Sequence, residues 1–182
     1  MSSTRRQWLS TCVAMAAWSD VLANPRFETL DTESAAEIEA IAAQIIPSTG
    51  GPGAKEAGVI YFIDRALSTF AAEDREGYRT GLAAVQQKRK ELFPNSTTIA
   101  SLTDAQQIEL VRSIENSSFF ALLRTHTVLG FLSKPSYGGN RGKIGWRQIG
   151  FEDRMAWEPP FGYYDAEVSR EQARERTREG KK

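Results

Sequence analysis

His126 is the one histidine of the chain and Cys12 the one cysteine. The side chains that most often do acid–base, nucleophilic or metal chemistry near neutral pH are therefore present once each. A single imidazole can act as a general base, but it cannot build a multi-histidine metal centre. His126 lies in Leu122-Leu123-Arg124-Thr125-His126-Thr127-Val128-Leu129, where helical spacing groups Leu122, Leu123, Leu129 and His126 on or beside a buried face. That placement favours a hydrogen-bonded histidine at the core over a solvent-facing base. Glu37, Glu39, Glu73 and Asp74 fall on the polar faces of expected helices and read as solvated surface. Asp64 and Arg65 sit inside the most apolar helix, which points to one of them being buried and paired. The run Gly138-Gly139-Asn140-Arg141-Gly142-Lys143-Ile144 has neither the spacing nor the hydroxyl residue of a phosphate-binding loop, and no G-x-G-x-x-G follows a strand. The residues thus predict no catalytic, cofactor-binding or metal site in this chain. The competing reading is a stand-alone periplasmic enzyme or sugar-binding module, with His126 and a nearby carboxylate working on a sugar stacked against Trp146 or Tyr137.

The distinctive chemistry lies instead in an arm over residues 136–165. It contains Ser136-Tyr137-Gly138-Gly139-Asn140, then Gly145-Trp146, then Trp157-Glu158-Pro159-Pro160-Phe161-Gly162-Tyr163-Tyr164-Asp165. So many glycines leave no helix or strand period, yet so many aromatics have apolar area to bury. The surface that buries them is either the domain itself or a partner. In the partner reading Tyr137, Gly138, Gly139, Asn140, Trp146, Phe161, Tyr163 and Tyr164 form the interface, since Tyr and Trp combine an apolar body with a hydrogen-bonding tip.

The elements that would carry this arm are helical. Asp31-Thr32-Glu33-Ser34 supplies capping residues for a helix with Ile38, Ile41, Ala42, Ile45 and Ile46 at helical spacing, stopped by Pro47. After a Gly/Pro loop, Val59, Ile60, Phe62, Ile63, Ala66, Leu67 and Phe70 mark the core face of a second helix. A third is expected over 73–93, with Tyr78, Leu82, Val85 and Phe93 inward and Gln86-Gln87-Lys88-Arg89-Lys90 outward. Thr103 and Gln106 fit a capping box that opens a fourth helix carrying Ile108, Val111 and Ile114, and 119–132 reads as a fifth. The expected fold is mainly α, a compact bundle of about five helices with an irregular Gly/aromatic-rich C-terminal arm.

The first residues, Ser3-Thr4-Arg5-Arg6-Gln7-Trp8-Leu9, read as a twin-arginine export signal whose two cations precede a short apolar run. That run is too short to span a bilayer, and Val21-Leu22-Ala23 suits a cut after Ala23. The expected organisation is a signal over 1–23, a helical domain over 24–135, the arm, and a charged tail over 166–182 with Glu and Arg three apart. Cleavage would remove Cys12 and leave no cysteine for a disulfide, a thiolate site or covalent haem attachment. With 23 Lys and Arg against 23 Asp and Glu, the charge balance disfavours nucleic acid as a partner.

Pro52-Gly53-Ala54-Lys55-Glu56-Ala57-Gly58-Val59-Ile60-Tyr61-Phe62-Ile63-Asp64, the run from His126 through Tyr137-Gly138-Gly139-Asn140, Gly145-Trp146 and Pro159-Pro160-Phe161-Gly162-Tyr163 carry a resemblance. At these stretches the chain resembles the gluconate 2-dehydrogenase subunit 3 family, which includes the small subunits of related fructose and sorbitol dehydrogenases. The resemblance covers residues from about 29 to 165. It implies a non-catalytic, mainly α periplasmic subunit bound to an FAD-binding large subunit of the glucose-methanol-choline oxidoreductase type. It also implies, commonly, a membrane-bound multihaem cytochrome c subunit, with FAD and haem c in the partner subunits and neither in this chain. The implied role is to bind, mature and co-export the flavoprotein, which oxidises a sugar, sugar acid or polyol. Lys134 and Lys143 depart from the family's usual residues and would suit a different partner surface.

Overall fold

The computed structural model describes residues 26–154 and 162–179; the expected signal with Arg5 and Arg6, and Phe161 of the arm, lie outside the described residues. Five helices form the body: α1 (Thr32–Ile45), α2 (Val59–Ser68), α3 (Arg75–Leu92), α4 (Asp104–Ile114) and α5 (Ser118–Leu132), with no strand among the described residues. Three of the starts have a side-chain cap. The Asp31 carboxylate accepts from the Ser34 amide at 2.8 Å to open α1, the Ser117 hydroxyl accepts from the Phe120 amide at 3.1 Å to open α5, and Thr103 and Gln106 form the expected capping box on α4. A short 3₁₀ turn, Ala72–Asp74, leads into α3.

The core is where the apolar stripes meet: Ile38 and Ile41 of α1, Ile63 and Leu67 of α2, Val85 of α3, Leu110 of α4 and Leu123 of α5 are all buried. Helix α2 lies against α1 and α5, while α3 packs on α4 and α5. This compact unit runs to Ile149 and takes in residues 136–149 of the expected arm. The arm is also more regular than its glycines suggested. It holds 3₁₀ turns at Pro135–Tyr137 and Arg141–Lys143 and a short helix, α6 (Ile144–Gln148). A separate unit begins at Gly150 and contains α7 (Tyr163–Glu179), whose Glu167, Val168 and Arg170 are exposed.

Two polar expectations need correction. Glu37 is buried, and so is Arg89 from the stretch expected to face outward. Both serve the loop between α3 and α4, whose irregular backbone has to be satisfied by side chains once it crosses the body. Glu37 accepts from the Ile99 amide at 3.1 Å and from Gln86 Nε2 at 2.9 Å. Arg89 donates to the Ser96 carbonyl and, at 2.7 Å, to its hydroxyl. Buried Gln107 completes the set, donating to the Ile99 and Leu102 carbonyls at 3.2 Å each. Helical periodicity assigns polar residues outward and carries no information about a loop that later covers them.

Asp64 is the buried member of the Asp64-Arg65 pair, and its partner is backbone rather than a cation. Its carboxylate accepts from three successive amides, Glu28 at 2.7 Å, Thr29 at 2.9 Å and Leu30 at 2.8 Å, and so clamps the bent lead-in to α1 onto α2. Phe27, just before this clamp, stacks on Tyr61 with centroids 5.3 Å apart. Asp64→Asn keeps the shape but turns one oxygen into a donor facing an amide donor. We expect a loss of about 3 kcal/mol in urea unfolding, with a helix content in the folded baseline equal to wild type.

Candidate docking surface

A helix leaves its last carbonyls without intrahelical partners, and the end of α5 is where the arm is used. Trp146 Nε1 donates to the Leu132 carbonyl at 2.7 Å, and Asn140 Nδ2 donates to the Ser133 carbonyl at 2.8 Å. The other end of the Asn140 amide accepts from the Gly145 amide at 2.8 Å, so a single side chain ties α5, the 3₁₀ turn and α6 together. Asn140 adopts φ +46°, a left-handed conformation that asparagine tolerates, and it is fully buried. Glycine is required where backbones touch: a Cβ at Gly139 would land on the Gly130 carbonyl, and one at Gly145 on the Phe131 carbonyl. Arg141 adds a further tie, with its guanidinium carbon 3.8 Å from the Tyr61 ring centroid and its amide donating to the Ala57 carbonyl at 2.9 Å.

This geometry places the residues expected to meet a partner within the chain's own packing. Asn140 is buried, with both ends of its amide bonded within this chain. Gly139 is buried against α5, Gly138 turns over the Tyr61 carbonyl, and the Trp146 indole N–H is committed to Leu132. Tyr137 alone of these stands out, at 55% exposure. Tyr163 and Tyr164 lie in the first turn of α7.

Beside Tyr137 the structure exposes an apolar groove of about 540 Å³ between α2 and α5. Its walls are Phe62, Phe70, Val128, Leu129, Leu132 and Tyr137, with Ser133 at one end. Phe70 is 63% exposed and Leu129 47%, although both were expected on core faces. Helix α2 ends at Ser68, two residues short of Phe70, so that ring leaves the helical stripe and lies 6.2 Å from Phe62. In α5 the cause is composition: Phe119, Phe120, Leu122, Leu123, Val128, Leu129, Phe131 and Leu132 make it apolar around most of its circumference, more than one core can cover. That all-round apolarity was the sequence signal for the groove, and a search for one buried face overlooks it.

His126 faces the opposite, inner side of α5 and is buried. Its Nδ1 is 3.0 Å from the Tyr78 hydroxyl and its Nε2 is 3.7 Å from an Asp74 carboxylate oxygen. Burial holds the imidazole below its usual range, with Asp74 opposing in part. Burial first, and Asp74 second, push the Tyr78 phenol up, so it stays protonated and can donate to Nδ1. Asp74, expected on a solvated face, is half-buried against this pair. Among the described residues no group of three or more His, Cys, Asp or Glu is placed to hold a metal ion. No helix there is long and apolar enough to cross a membrane.

A family model described as gluconate 2-dehydrogenase subunit 3 matches residues 32–153. The match takes in α1 to α6 with the arm's cap on α5, and ends before the Pro159-Pro160-Phe161-Gly162-Tyr163 stretch. No curated protein and no solved structure matches the chain.

Two outcomes follow from this geometry. Asn140→Ala orphans a part-buried carbonyl and a buried amide, and should lower unfolding free energy by about 2 kcal/mol in denaturant titration. A pure contact residue would leave stability unchanged. For His126, the folded pKa lies below the unfolded value near 6.5, so the unfolded chain takes up the proton first as pH falls. Its contribution is intact above the unfolded pKa and is lost as pH drops from there towards the lowered folded value. Urea midpoints should therefore begin to fall below about pH 6.5 in wild type, and that limb should be missing in His126→Gln. The acid loss from Asp31 and Glu56, whose carboxyls are held low chiefly by Ser34 and by Ser48 respectively, sets in at lower pH in both proteins.

Proposed function

Because the chain belongs to the gluconate 2-dehydrogenase subunit 3 family, we propose that it is the non-catalytic small subunit of a periplasmic, FAD-dependent dehydrogenase complex acting on a sugar, sugar acid or polyol. In this reading it binds and matures the flavoprotein large subunit and carries it out of the cytoplasm. FAD bound in the large subunit would supply the two-electron oxidation of the substrate, and haem c would take up the electrons where a membrane-bound cytochrome subunit completes the complex. The observation that carries the reading is the exposed apolar groove beside Tyr137, a surface suited to burial against another protein. The burial of His126 supports it, since the chain's one imidazole faces Tyr78 and Asp74 instead of a cleft. Arg5-Arg6 supplies the export element, because a flavoprotein loaded with its cofactor in the cytoplasm needs a route that accepts folded cargo.

Co-expression of the tagged full chain with its flavoprotein tests this. The expected result is a flavin-containing large subunit retained through purification, with both proteins in the periplasm. In the Arg5→Lys, Arg6→Lys double variant both should stay in the cytoplasm. Normal export of the flavoprotein beside that variant would overturn the carrier role. Sugar oxidation by the chain alone, abolished by His126→Ala, would overturn the accessory role and favour the stand-alone enzyme.

A further inference from the structure

We propose that the groove between α2 and α5 seats the dehydrogenase's large subunit, and that the large subunit enters it with an apolar segment flanked by carboxylates. This rests on the accessory-subunit reading and adds the place and the chemistry of the contact. The walls are apolar and open, with Phe70, Leu129 and Tyr137 each about half exposed or more. The site is concave, at about 540 Å³, which suits side chains inserted from a protein segment; a bilayer is met by an amphipathic face that inserts into it.

Charge selects the kind of segment. From Asn116 to Phe151 the chain carries Arg124, Lys134, Arg141, Lys143 and Arg147 and no Asp or Glu, although the whole chain is balanced. Arg124 lies one helical turn before Val128, and Lys134 falls between the wall residues Ser133 and Tyr137. Arg65 reaches across from α2 to donate to the Ser136 carbonyl at 2.7 Å. Arg124, Lys134 and Arg65 are all exposed. Asp64, two residues after the wall residue Phe62, is buried with its carboxylate spent on the Glu28, Thr29 and Leu30 amides, and Glu73 lies three residues beyond Phe70. A cationic rim around an apolar floor favours an acidic-flanked partner and speeds its encounter. It also disfavours a second copy of this chain, because an isologous contact would set the same cations against each other.

Within the body, Gly139, Asn140, Gly145 and Trp146 are fixed to the end of α5, and Tyr137 stands as a wall of the groove. That stretch needs no ordering before a partner binds.

The test uses the tagged full chain and its flavoprotein, with affinity read by titration and flavin absorbance. Leu129→Asp should weaken retention by about 30-fold or more. The Arg124→Glu, Lys134→Glu pair should slow association and reduce its dependence on salt. Val168→Asp in α7, another exposed apolar position, should leave affinity unchanged, and matched thermal unfolding of the variants shows that folding is intact. Should wild type hold the flavoprotein and Leu129→Asp hold it equally well, the groove assignment is wrong while the subunit reading stands. If wild type holds none, the subunit reading itself fails. If Leu129→Asp instead abolishes binding to anionic lipid vesicles, or dissociates a dimer in size-exclusion chromatography, while flavoprotein affinity is unchanged, the groove belongs to a membrane or to a second copy and the proposal is overturned.

Discussion

Helix α5 ends with carbonyls that must find donors, and they find them in a segment built of two 3₁₀ turns and one short helix. The Asn140 side chain and the Trp146 indole supply two of those bonds, and Gly139 and Gly145 allow the backbones to approach closely enough to form them. The arrangement is mutual. The arm gains a fixed course from the helix end, and the helix end gains its cap from the arm. A substitution at any of these four positions therefore acts on both.

Fixing the arm determines what surface remains. Asp64 holds the lead-in of α1 on α2, and Arg141 holds the arm on Tyr61, so both neighbours of the groove are immobilised by polar ties. Between them α5 exposes Val128, Leu129 and Leu132, while its inner face is filled by Leu123, His126 and Phe131. The body thus presents a ready-made concave site between α2 and α5.

The helices were legible because their causes are local. Capping residues Asp31, Thr103 and Ser117 lie beside the starts they determine, and the isoleucines of α1 repeat with the helical period. The buried state of His126 was legible for the same reason. Glu37 and Arg89 were not, since their partners lie in a loop far along the chain or across an irregular turn. The arm misled in an instructive way. Its glycines and aromatics correctly marked close contact, but composition cannot say whether the contact is with the same chain or another one, and Asn140 answers only once its two backbone partners are seen. The groove residues Phe70 and Leu129 were hidden by the habit of assigning every apolar side chain on a helix to one core.

Amide hydrogen exchange, followed residue by residue in the free chain and in its complex with the flavoprotein, separates the two roles most directly. The Gly145 amide, bonded to Asn140, should already be slow in the free chain and unchanged in the complex. Amides of α5 along Val128–Leu132 should slow only when the flavoprotein is bound. A Gly145 amide that exchanges freely until the flavoprotein arrives would contradict this, because the arm would then be ordered by the partner and not by the end of α5.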